Sequence, residues 1–122
     1  MHNVGIFVED MKKMVSFYTD ILNFETDWDG GLFASFKKGN DGLFMYDRKD
    51  FAKSIGVTYY PPSGINLTME MYLTFATPEL DQEYERLKNL QVRIVTELAT
   101  QPWGQRNFFI ADPEGNLIEI GD

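Results

Sequence analysis

The strongest constraint on the fold is an internal repeat, because the two halves of this 122-residue chain carry the same order of sequence patterns. Each half has a short apolar strand, one amphipathic helix and then alternating segments separated by glycine-bearing turns. The period is about 70 residues, which predicts two similar modules. In this register the equivalent residues are Asp10 and Glu79, Met11 and Leu80, Val15 and Tyr84, Tyr18 and Leu87, Phe36 and Phe109, and Gly42 and Gly115.

The first half predicts a strand, a helix and a hairpin. VGIFV at residues 4–8 is typical of a short strand, and Asp10 is suited to cap the helix that follows. The segments LFASFKK and LFMYD flank a turn at residues 39–42, which predicts a β-hairpin. The apolar residues of the helix recur at helical spacing: Met11, Met14, Val15, Tyr18, Ile21 and Leu22.

A polar, proline-bearing stretch interrupts this periodicity and is typical of a linker. The length of the chain suits one domain. We therefore predict a single domain over residues 1–122, with module 1 at about 1–48, a linker at about 49–64 and module 2 at about 65–122.

The second half begins with the alternating segment TMEMYLTFA, which predicts a strand with one face on a core. Its apolar face is predicted to hold Met69, Met71, Leu73 and Phe75, and its opposite face Thr68, Glu70, Tyr72 and Thr74. Thr77 and Pro78 then open a helix with acidic residues in its first turn. RNFFI and LIEI predict strands that flank a turn at residues 112–116.

The composition excludes several kinds of chemistry. The chain has no cysteine, so disulfides, thiolate metal sites and a cysteine nucleophile are excluded. Nineteen acidic and eleven basic residues give a net charge of −8, which argues against a nucleic-acid partner and favours a neutral or cationic one. No segment is apolar enough to span a membrane and the first residues do not resemble a signal peptide, so we expect a cytoplasmic protein without a membrane partner.

Three motifs in order resemble those of one known superfamily. They are Asp10 with SFYTDILNF at residues 16–24, the helix that follows Phe75, and WGQR at residues 103–106 with FFIADPEGNLIEI at residues 108–120. The chain resembles the glyoxalase / bleomycin-resistance / extradiol-dioxygenase superfamily, also called the vicinal oxygen chelate superfamily. This resemblance implies an α+β fold of two βαβββ modules that form an open barrel around a cleft, often completed by a second subunit, and hence a homodimer.

The resemblance also implies four positions at which metal-dependent members hold one divalent ion. Here these positions are Asn3, Tyr46, Tyr72 and Glu119. Because amide and phenol groups neither balance the charge of such an ion nor bind it strongly, only Glu119 suits the role. His2 is the sole histidine and would reach the position of Asn3 only after a one-residue register slip. We therefore predict neither a metal site nor a cofactor.

The remaining candidates are aromatic and polar side chains that could line a pocket. The alternative for each is a structural role: a tyrosine can cover a strand edge, Trp103 can anchor its loop, and Glu119 can point into water. The predicted ligand-binding residues are Asn3, Phe7, Phe44, Tyr46, Tyr72, Thr74, Trp103 and Glu119.

Two functions follow as hypotheses. The first is a metal-free protein of the bleomycin-resistance type that binds a small aromatic or cationic molecule and so sequesters a drug or metabolite. The alternative is a lyase or isomerase similar to glyoxalase I, with or without a divalent metal, in which Glu119 is the catalytic base. That enzyme needs an electrophile to stabilise an enediolate, which a metal normally supplies. The metal content of the purified protein discriminates between the two.

Overall fold

The structure is a computed structural model that describes residues 4–122. The chain forms two compact units, Met1–Pro62 and Ser63–Asp122. Their boundary lies inside the stretch predicted as a linker. Both units combine helices with a β-sheet, so the predicted α+β class is confirmed. Asn3 and His2, which the sequence analysis considered as ligand and metal positions, lie outside the described residues.

Unit 1 contains a four-stranded sheet in the order β1-β4-β3-β2. β1 runs parallel to β4, and β3 is antiparallel to both β4 and β2. Tyr46 in β4 therefore lies between Phe7 and Phe33. The elements are β1 Val4–Val8, α1 Met11–Ser16 with a π-helical turn Phe17–Ile21, β2 Glu25–Thr26, β3 Phe33–Lys38, β4 Asp41–Asp47 and α2 Arg48–Ile55.

Helix α1 begins where the sequence predicts, and its end is a π-helical turn that the sequence analysis did not predict. The Asp10 carboxylate accepts a 3.1 Å hydrogen bond from the backbone N–H of Lys13, which caps the first turn. Asn23 follows the π-helical turn with φ at 64°, in the left-handed region that glycine and asparagine adopt most readily. One face of this segment packs on the sheet, where Met14 and Tyr18 are buried.

Helix α2 lies in the segment that the sequence analysis assigned to a linker. Asp47 caps its start by accepting a 2.8 Å hydrogen bond from the N–H of Asp50, and Gly56 ends it in a left-handed conformation. The chain then returns towards β1, where the Tyr59 hydroxyl donates a hydrogen bond to Glu9. Unit 1 therefore has a second helix after its three consecutive strands.

Unit 2 contains a sheet in the order β5-β9-β8-β6, with the short strand β7 paired to β8. β5 runs parallel to β9, and β8 is antiparallel to β9. Four strands follow the helix of unit 2, and unit 1 has a second helix after its strands. Neither unit therefore consists of a βαβββ module alone. The elements are β5 Asn66–Thr74, a 3₁₀ turn Thr77–Glu79, α3 Leu80–Asn89, β6 Arg93–Ile94, β7 Ala99–Thr100, β8 Arg106–Ala111 and β9 Asn116–Gly121.

The core of unit 2 lies between α3 and one face of the sheet. Leu80 and Leu87 of the helix are fully buried, and the Tyr84 ring packs edge-on against Phe108 at 4.9 Å between centroids. Because side chains alternate along a strand, the residues next to the buried Ile118 and Ile120 point to the opposite face. That opposite face carries Glu119.

The predicted apolar face of β5 is wrong at Met69, which is 57% exposed. Asn66 pairs with Asn116 but Glu70 pairs with Leu117, so three residues of β5 bulge out of the ladder. The bulge is held by the Asn66 side chain, which accepts a 3.0 Å hydrogen bond from the N–H of Thr68. A sequence pattern of strict alternation does not show this insertion. From Glu70 onwards the predicted alternation holds.

The turn before β9 is built around a buried aspartate. The Asp112 carboxylate accepts hydrogen bonds of 2.9 Å and 3.0 Å from the backbone N–H groups of Glu114 and Asn116. Gly115 has φ at 86°, and a Cβ there would lie 2.0 Å from the carbonyl oxygen of Gly64. Only glycine fits this position, which explains the DPEGN motif physically. Within residues 4–122 no helix has the length and apolar character needed to cross a membrane.

Candidate functional site

Glu119 lies in the middle of β9 and is 8% exposed. Its strand neighbours are Tyr72 on β5 and Phe109 on β8. A buried carboxylate loses its hydration and must be compensated by hydrogen bonds or by a positive charge. The partners of Glu119 therefore define what this part of the sheet can bind.

Two neutral amide groups donate hydrogen bonds to the Glu119 carboxylate and so compensate for its lost hydration. Asn107 Nδ2 donates a 2.9 Å hydrogen bond and Gln105 Nε2 a 3.2 Å hydrogen bond, and both end on Glu119 Oε2. Asn107 is itself 4% exposed and accepts a 2.8 Å hydrogen bond from Gln101 Nε2. Among the described residues no arginine, lysine or histidine forms an ion pair with Glu119.

The Tyr72 phenol extends this group of contacts towards solvent. Its hydroxyl donates a 2.8 Å hydrogen bond to the carbonyl oxygen of Asp122 and accepts a 2.6 Å hydrogen bond from Gln105 Nε2. The Tyr72 residue is 40% exposed. Tyr72 therefore offers an accessible aromatic surface directly beside the buried Glu119.

The turn before β8 carries Trp103, whose indole joins the hydrogen-bonded side chains around Glu119. The N–H of Gln101 donates a 2.7 Å hydrogen bond to the carbonyl of Gln105, and Gly104 closes the turn with φ at 97°. Trp103 Nε1 donates a 3.0 Å hydrogen bond to Gln105 Oε1, while Trp103 remains 72% exposed. This bond orients the Gln105 amide so that its NH₂ group faces Glu119 and Tyr72. We call Tyr72, Gln101, Trp103, Gln105, Asn107 and Glu119 the Glu119 network.

The structure thus brings together Tyr72, Trp103 and Glu119 from the predicted ligand-binding set and adds three amides that the sequence analysis missed. Gln105 and Asn107 are separated by two positions, which is the spacing of residues on one face of a strand. That spacing was the signal in the sequence that could have identified these two residues. Thr74 lies on the same face of β5 as Tyr72, but within residues 4–122 no hydrogen bond joins it to the network.

Glu70 is a second carboxyl group beside Glu119. It is exposed and lies on β5 two residues before Tyr72, the strand partner of Glu119. Partial burial raises the pKa of Glu70 above its ordinary value, and the hydrogen bond to Glu119 and the charge of Glu119 add to the effect. Glu70 therefore holds its proton more tightly than an isolated glutamate.

Asp122 lies at the edge of this region and is held by two hydrogen bonds. Thr77 Oγ1 donates a 2.7 Å hydrogen bond to the Asp122 carboxylate, and the N–H of Arg106 donates another of 3.1 Å. The hydrogen bond from Thr77 is the largest influence that lowers the pKa of Asp122. These contacts hold in place the carbonyl oxygen to which Tyr72 donates.

Unit 1 has a candidate surface of a different kind. Phe7, Phe44 and Tyr46, all predicted to bind a ligand, lie on one sheet face together with two rings that were not predicted, Phe33 and Phe51. Neighbouring centroids are 4.8 Å apart for Phe7 and Phe51, 5.2 Å for Phe33 and Tyr46, and 5.5 Å for Phe33 and Phe44. Phe7 is 40% and Phe33 45% exposed. This aromatic face suits a flat apolar group.

Unit 1 also contains an open groove beside α2 with a cavity volume of about 450 Å³. Its rim carries two lysines and two aspartates, so it lacks the acidic excess that would select a cation. The lining residues are Leu32, Asp47, Lys49, Asp50, Lys53, Val57 and Tyr59. The groove contains none of the predicted ligand-binding residues.

The donors around Glu119 do not fit a catalytic divalent ion. Within residues 4–122 no three histidine, aspartate, glutamate or cysteine side chains are grouped to hold a metal. Glu119 Oε2 already accepts two amide hydrogen bonds, and the Tyr72 hydroxyl is engaged as donor and acceptor. Amides and a neutral phenol are poor ligands for such an ion.

The fold and this site can now be compared with known proteins. The model of the Glyoxalase/Bleomycin resistance protein/Dioxygenase superfamily matches residues 1–120. This chain belongs to that superfamily, as its motifs predicted.

The chain is also similar to individual known proteins. The uncharacterized protein YraH of Bacillus subtilis (strain 168) is 27% identical over 96% of this chain and 93% of its own length. A solved glyoxalase/bleomycin resistance protein/dioxygenase from Nocardioides is 25% identical with a TM-score of 0.83, covering 98% of this chain and 80% of that one. A protein of unknown function from Agrobacterium tumefaciens str. C58 is 28% identical with a TM-score of 0.78, covering 98% and 90%.

Proposed function

We propose that this protein binds a small aromatic cation at the Glu119 network without using a metal, and so sequesters a drug or metabolite. The observation that carries the proposal is the buried Glu119 carboxylate, which is held by two neutral amides and has no cationic partner among residues 4–122. A cation supplied by a guest would complete its compensation, and hydrogen bonds to a charged group are about twice as strong as neutral ones.

The charge of unit 2 supports a cationic guest. Residues 63–122 contain ten acidic and four basic side chains, which accounts for −6 of the total net charge of −8. The nearest basic side chain along β8, Arg106, is bound to Asp81 at 3.1 Å. The unit therefore attracts cations and repels anions, most strongly at low ionic strength.

Two exposed rings support an aromatic guest. Tyr72 lies beside Glu119 in the sheet, and the Trp103 indole is joined to Glu119 through Gln105. A cation over an exposed tyrosine or tryptophan ring gains about 0.5–1 kcal/mol, and ring stacking contributes a similar amount. An aromatic cation can contact both the rings and the carboxylate.

The superfamily relationship is compatible with this function. We further propose that the protein is a cytoplasmic homodimer and that it works without a nucleic-acid partner, a membrane or a cofactor.

The lyase or isomerase with Glu119 as base remains the alternative prediction. Its difficulty is that the amide and phenol donors near Glu119, which could stabilise an enediolate, already donate hydrogen bonds to Glu119, Tyr72, Asn107 and Asp122. We therefore favour binding over catalysis.

The test is calorimetry with N-methylquinolinium, an aromatic ion whose charge does not titrate, against quinoline at pH 8, where quinoline is neutral. We expect the cation to bind more tightly, and Glu119→Gln to weaken it about tenfold while changing quinoline little. Tyr72→Ala should weaken both compounds. Glu85→Gln is the matched control, because it removes the same charge from the exposed side of α3, across the sheet from the network. Equal binding of both compounds, or an equal loss in the Glu85 variant, would contradict the proposal.

A further inference from the structure

We propose that the open groove beside α2 binds a small zwitterion with an aliphatic body, of the class of the free aliphatic α-amino acids. Every residue that lines the groove belongs to unit 1, so the site is complete within that unit. It shares no residue with the Glu119 network. The proposal therefore goes beyond the proposed function and does not depend on it.

The groove has an apolar lining that is open to solvent. Leu32 directly precedes β3 and Val57 follows α2, and these two residues are 57% and 54% exposed. The Tyr59 ring is a third apolar surface, and its hydroxyl is already engaged because it donates a hydrogen bond to Glu9. The cavity volume of about 450 Å³ suits a small molecule. Two aliphatic side chains and a ring in one groove favour a guest with a compact apolar body.

The backbone around the groove is held in place without using these apolar side chains. The N–H of Asp47 donates a 2.9 Å hydrogen bond to the carbonyl oxygen of Leu32, and the N–H of Val57 donates a 3.0 Å hydrogen bond to that of Ala52. Gly56, with φ at 74°, ends α2 immediately before Val57. The groove is therefore preformed, so a guest does not have to order these segments when it binds.

Charged side chains of both signs surround the apolar lining. Lys49 and Lys53 lie one turn apart on α2, and Asp50 precedes Lys53 by three residues. Asp50 and Lys53 are near enough along the helix to pair, yet within the part of the chain that the structure describes none of the three forms an ion pair. Lys49 Nζ lies 5.9 Å from the centroid of the Tyr59 ring. Ammonium groups and a carboxylate are therefore available to a guest at the edge of this groove.

The balance of these charges selects the class of guest. With Asp47, whose carboxylate caps α2 by accepting a hydrogen bond from the N–H of Asp50, the groove has two acidic and two basic side chains. Neither a simple anion nor a simple cation is favoured by such a set. A zwitterion can direct its carboxylate to the lysines and its ammonium to Asp50. A free α-amino acid carries both groups on one carbon beside its side chain, so an aliphatic body can contact the apolar lining at the same time.

The test is a titration of ¹⁵N-labelled protein with L-leucine, followed by NMR, which reports both the affinity and the position of binding. We expect the largest shifts of backbone N–H signals at Asp50, Lys53 and Val57. Two analogues keep the aliphatic body and lose one charge: 4-methylpentanoate lacks the ammonium and 3-methylbutylamine lacks the carboxylate. Each should bind about two- to fivefold more weakly than L-leucine, as expected for the loss of one exposed ion pair.

Three variants assign the contacts of the guest. Lys53→Gln should weaken L-leucine and 4-methylpentanoate but not 3-methylbutylamine, and Asp50→Asn should weaken L-leucine and 3-methylbutylamine but not 4-methylpentanoate. Val57→Ser should weaken all three compounds, because it removes apolar surface from the lining. Lys12→Gln and Asp27→Asn remove the same charges from exposed positions of unit 1 outside the groove, and we expect these controls to change none of the affinities.

The comparison of the three compounds uses the parent protein, so it does not depend on the folding of any variant. Absence of shifts at millimolar L-leucine, shifts centred outside the groove, or equal binding of the three compounds would overturn the proposal. It would also be overturned if the control variants weakened L-leucine as much as Lys53→Gln and Asp50→Asn.

Discussion

Asn107 Nδ2 donates a 2.9 Å hydrogen bond to Glu119 Oε2 across the antiparallel strands β8 and β9, and both residues are more than nine-tenths buried. The pair shows that the buried Glu119 carboxylate is supported by an amide rather than by a basic side chain. When a buried acceptor loses such a donor, the full free-energy cost of its desolvation destabilises the folded protein. The stability of the sheet and the proposed binding site therefore depend on the same hydrogen bond.

Asn107→Leu removes this donor and leaves the carboxylate with fewer hydrogen bonds. We expect a loss of about 1–3 kcal/mol in the free energy of unfolding, measured by urea denaturation. The double variant Asn107→Leu with Glu119→Gln should lose less than the sum of the single changes, because the charge is gone as well. Asn89→Ala, at an exposed helix end, is the control. Strict additivity would show that the two side chains do not support each other.

Gly115→Ala should be more harmful than a glycine substitution of similar backbone geometry. Gly115 and Gly30 have φ at 86° and 96°, but an added Cβ meets the Gly64 carbonyl oxygen at 2.0 Å in the first case and no atom within 4 Å in the second. Gly30→Ala should cost about 1 kcal/mol from backbone strain alone, and Gly115→Ala at least about 2 kcal/mol more. Equal midpoints in thermal unfolding would refute the predicted collision.

Glu70→Gln should stabilise the protein at pH 7 to 8. The folded state holds the Glu70 proton more tightly than the unfolded state, whose pKa is near the ordinary 4.5, so the folded protein binds more protons in the window above that value. The contribution of Glu70 to stability is therefore fully present below its ordinary pKa of 4.5 and is lost as the pH rises through the raised pKa. Because Glu70 is exposed to screening, we expect a gain in Tm of about 1–3 °C that vanishes near pH 4. A constant difference across this range would contradict the linkage.

The metal content of the protein tests the choice between binding and metal-assisted catalysis. Protein purified without chelator should carry well under one equivalent of nickel, zinc, manganese or iron, because only Glu119 among the positions implied by the superfamily is a strong ligand. Near-stoichiometric metal that is lost in Glu119→Ala would contradict the prediction that the protein binds no metal.

The oligomeric state is the remaining prediction. β1 and β5 are edge strands of their sheets, and unpaired edges are normally covered. We expect a homodimer in sedimentation at micromolar concentration. A mass near the 14.1 kDa of one chain would contradict it.

The sequence by itself determined the superfamily, the α+β class and the elements whose signals are local. Asp10 begins α1 and the glycine of the DPEGN turn precedes β9, because a cap and a left-handed turn depend on a few neighbouring residues. Helix α2 has equally local signals in Asp47 and Gly56, but its polar composition and the prolines beyond it favoured a linker. The bulge of β5 escaped prediction because the strand pattern continues through it.

Only the tertiary structure decided how the site is built. Glu119 and Tyr72 are implied by the resemblance to the superfamily, yet their connection through Gln105 and Asn107 depends on which strands pair and in which register. Residues far apart in the chain meet there, and sheet pairing is a non-local choice that alternation along one strand cannot specify. The partial burial of Glu70 and its proximity to Glu119, which together raise its pKa, arise in the same way.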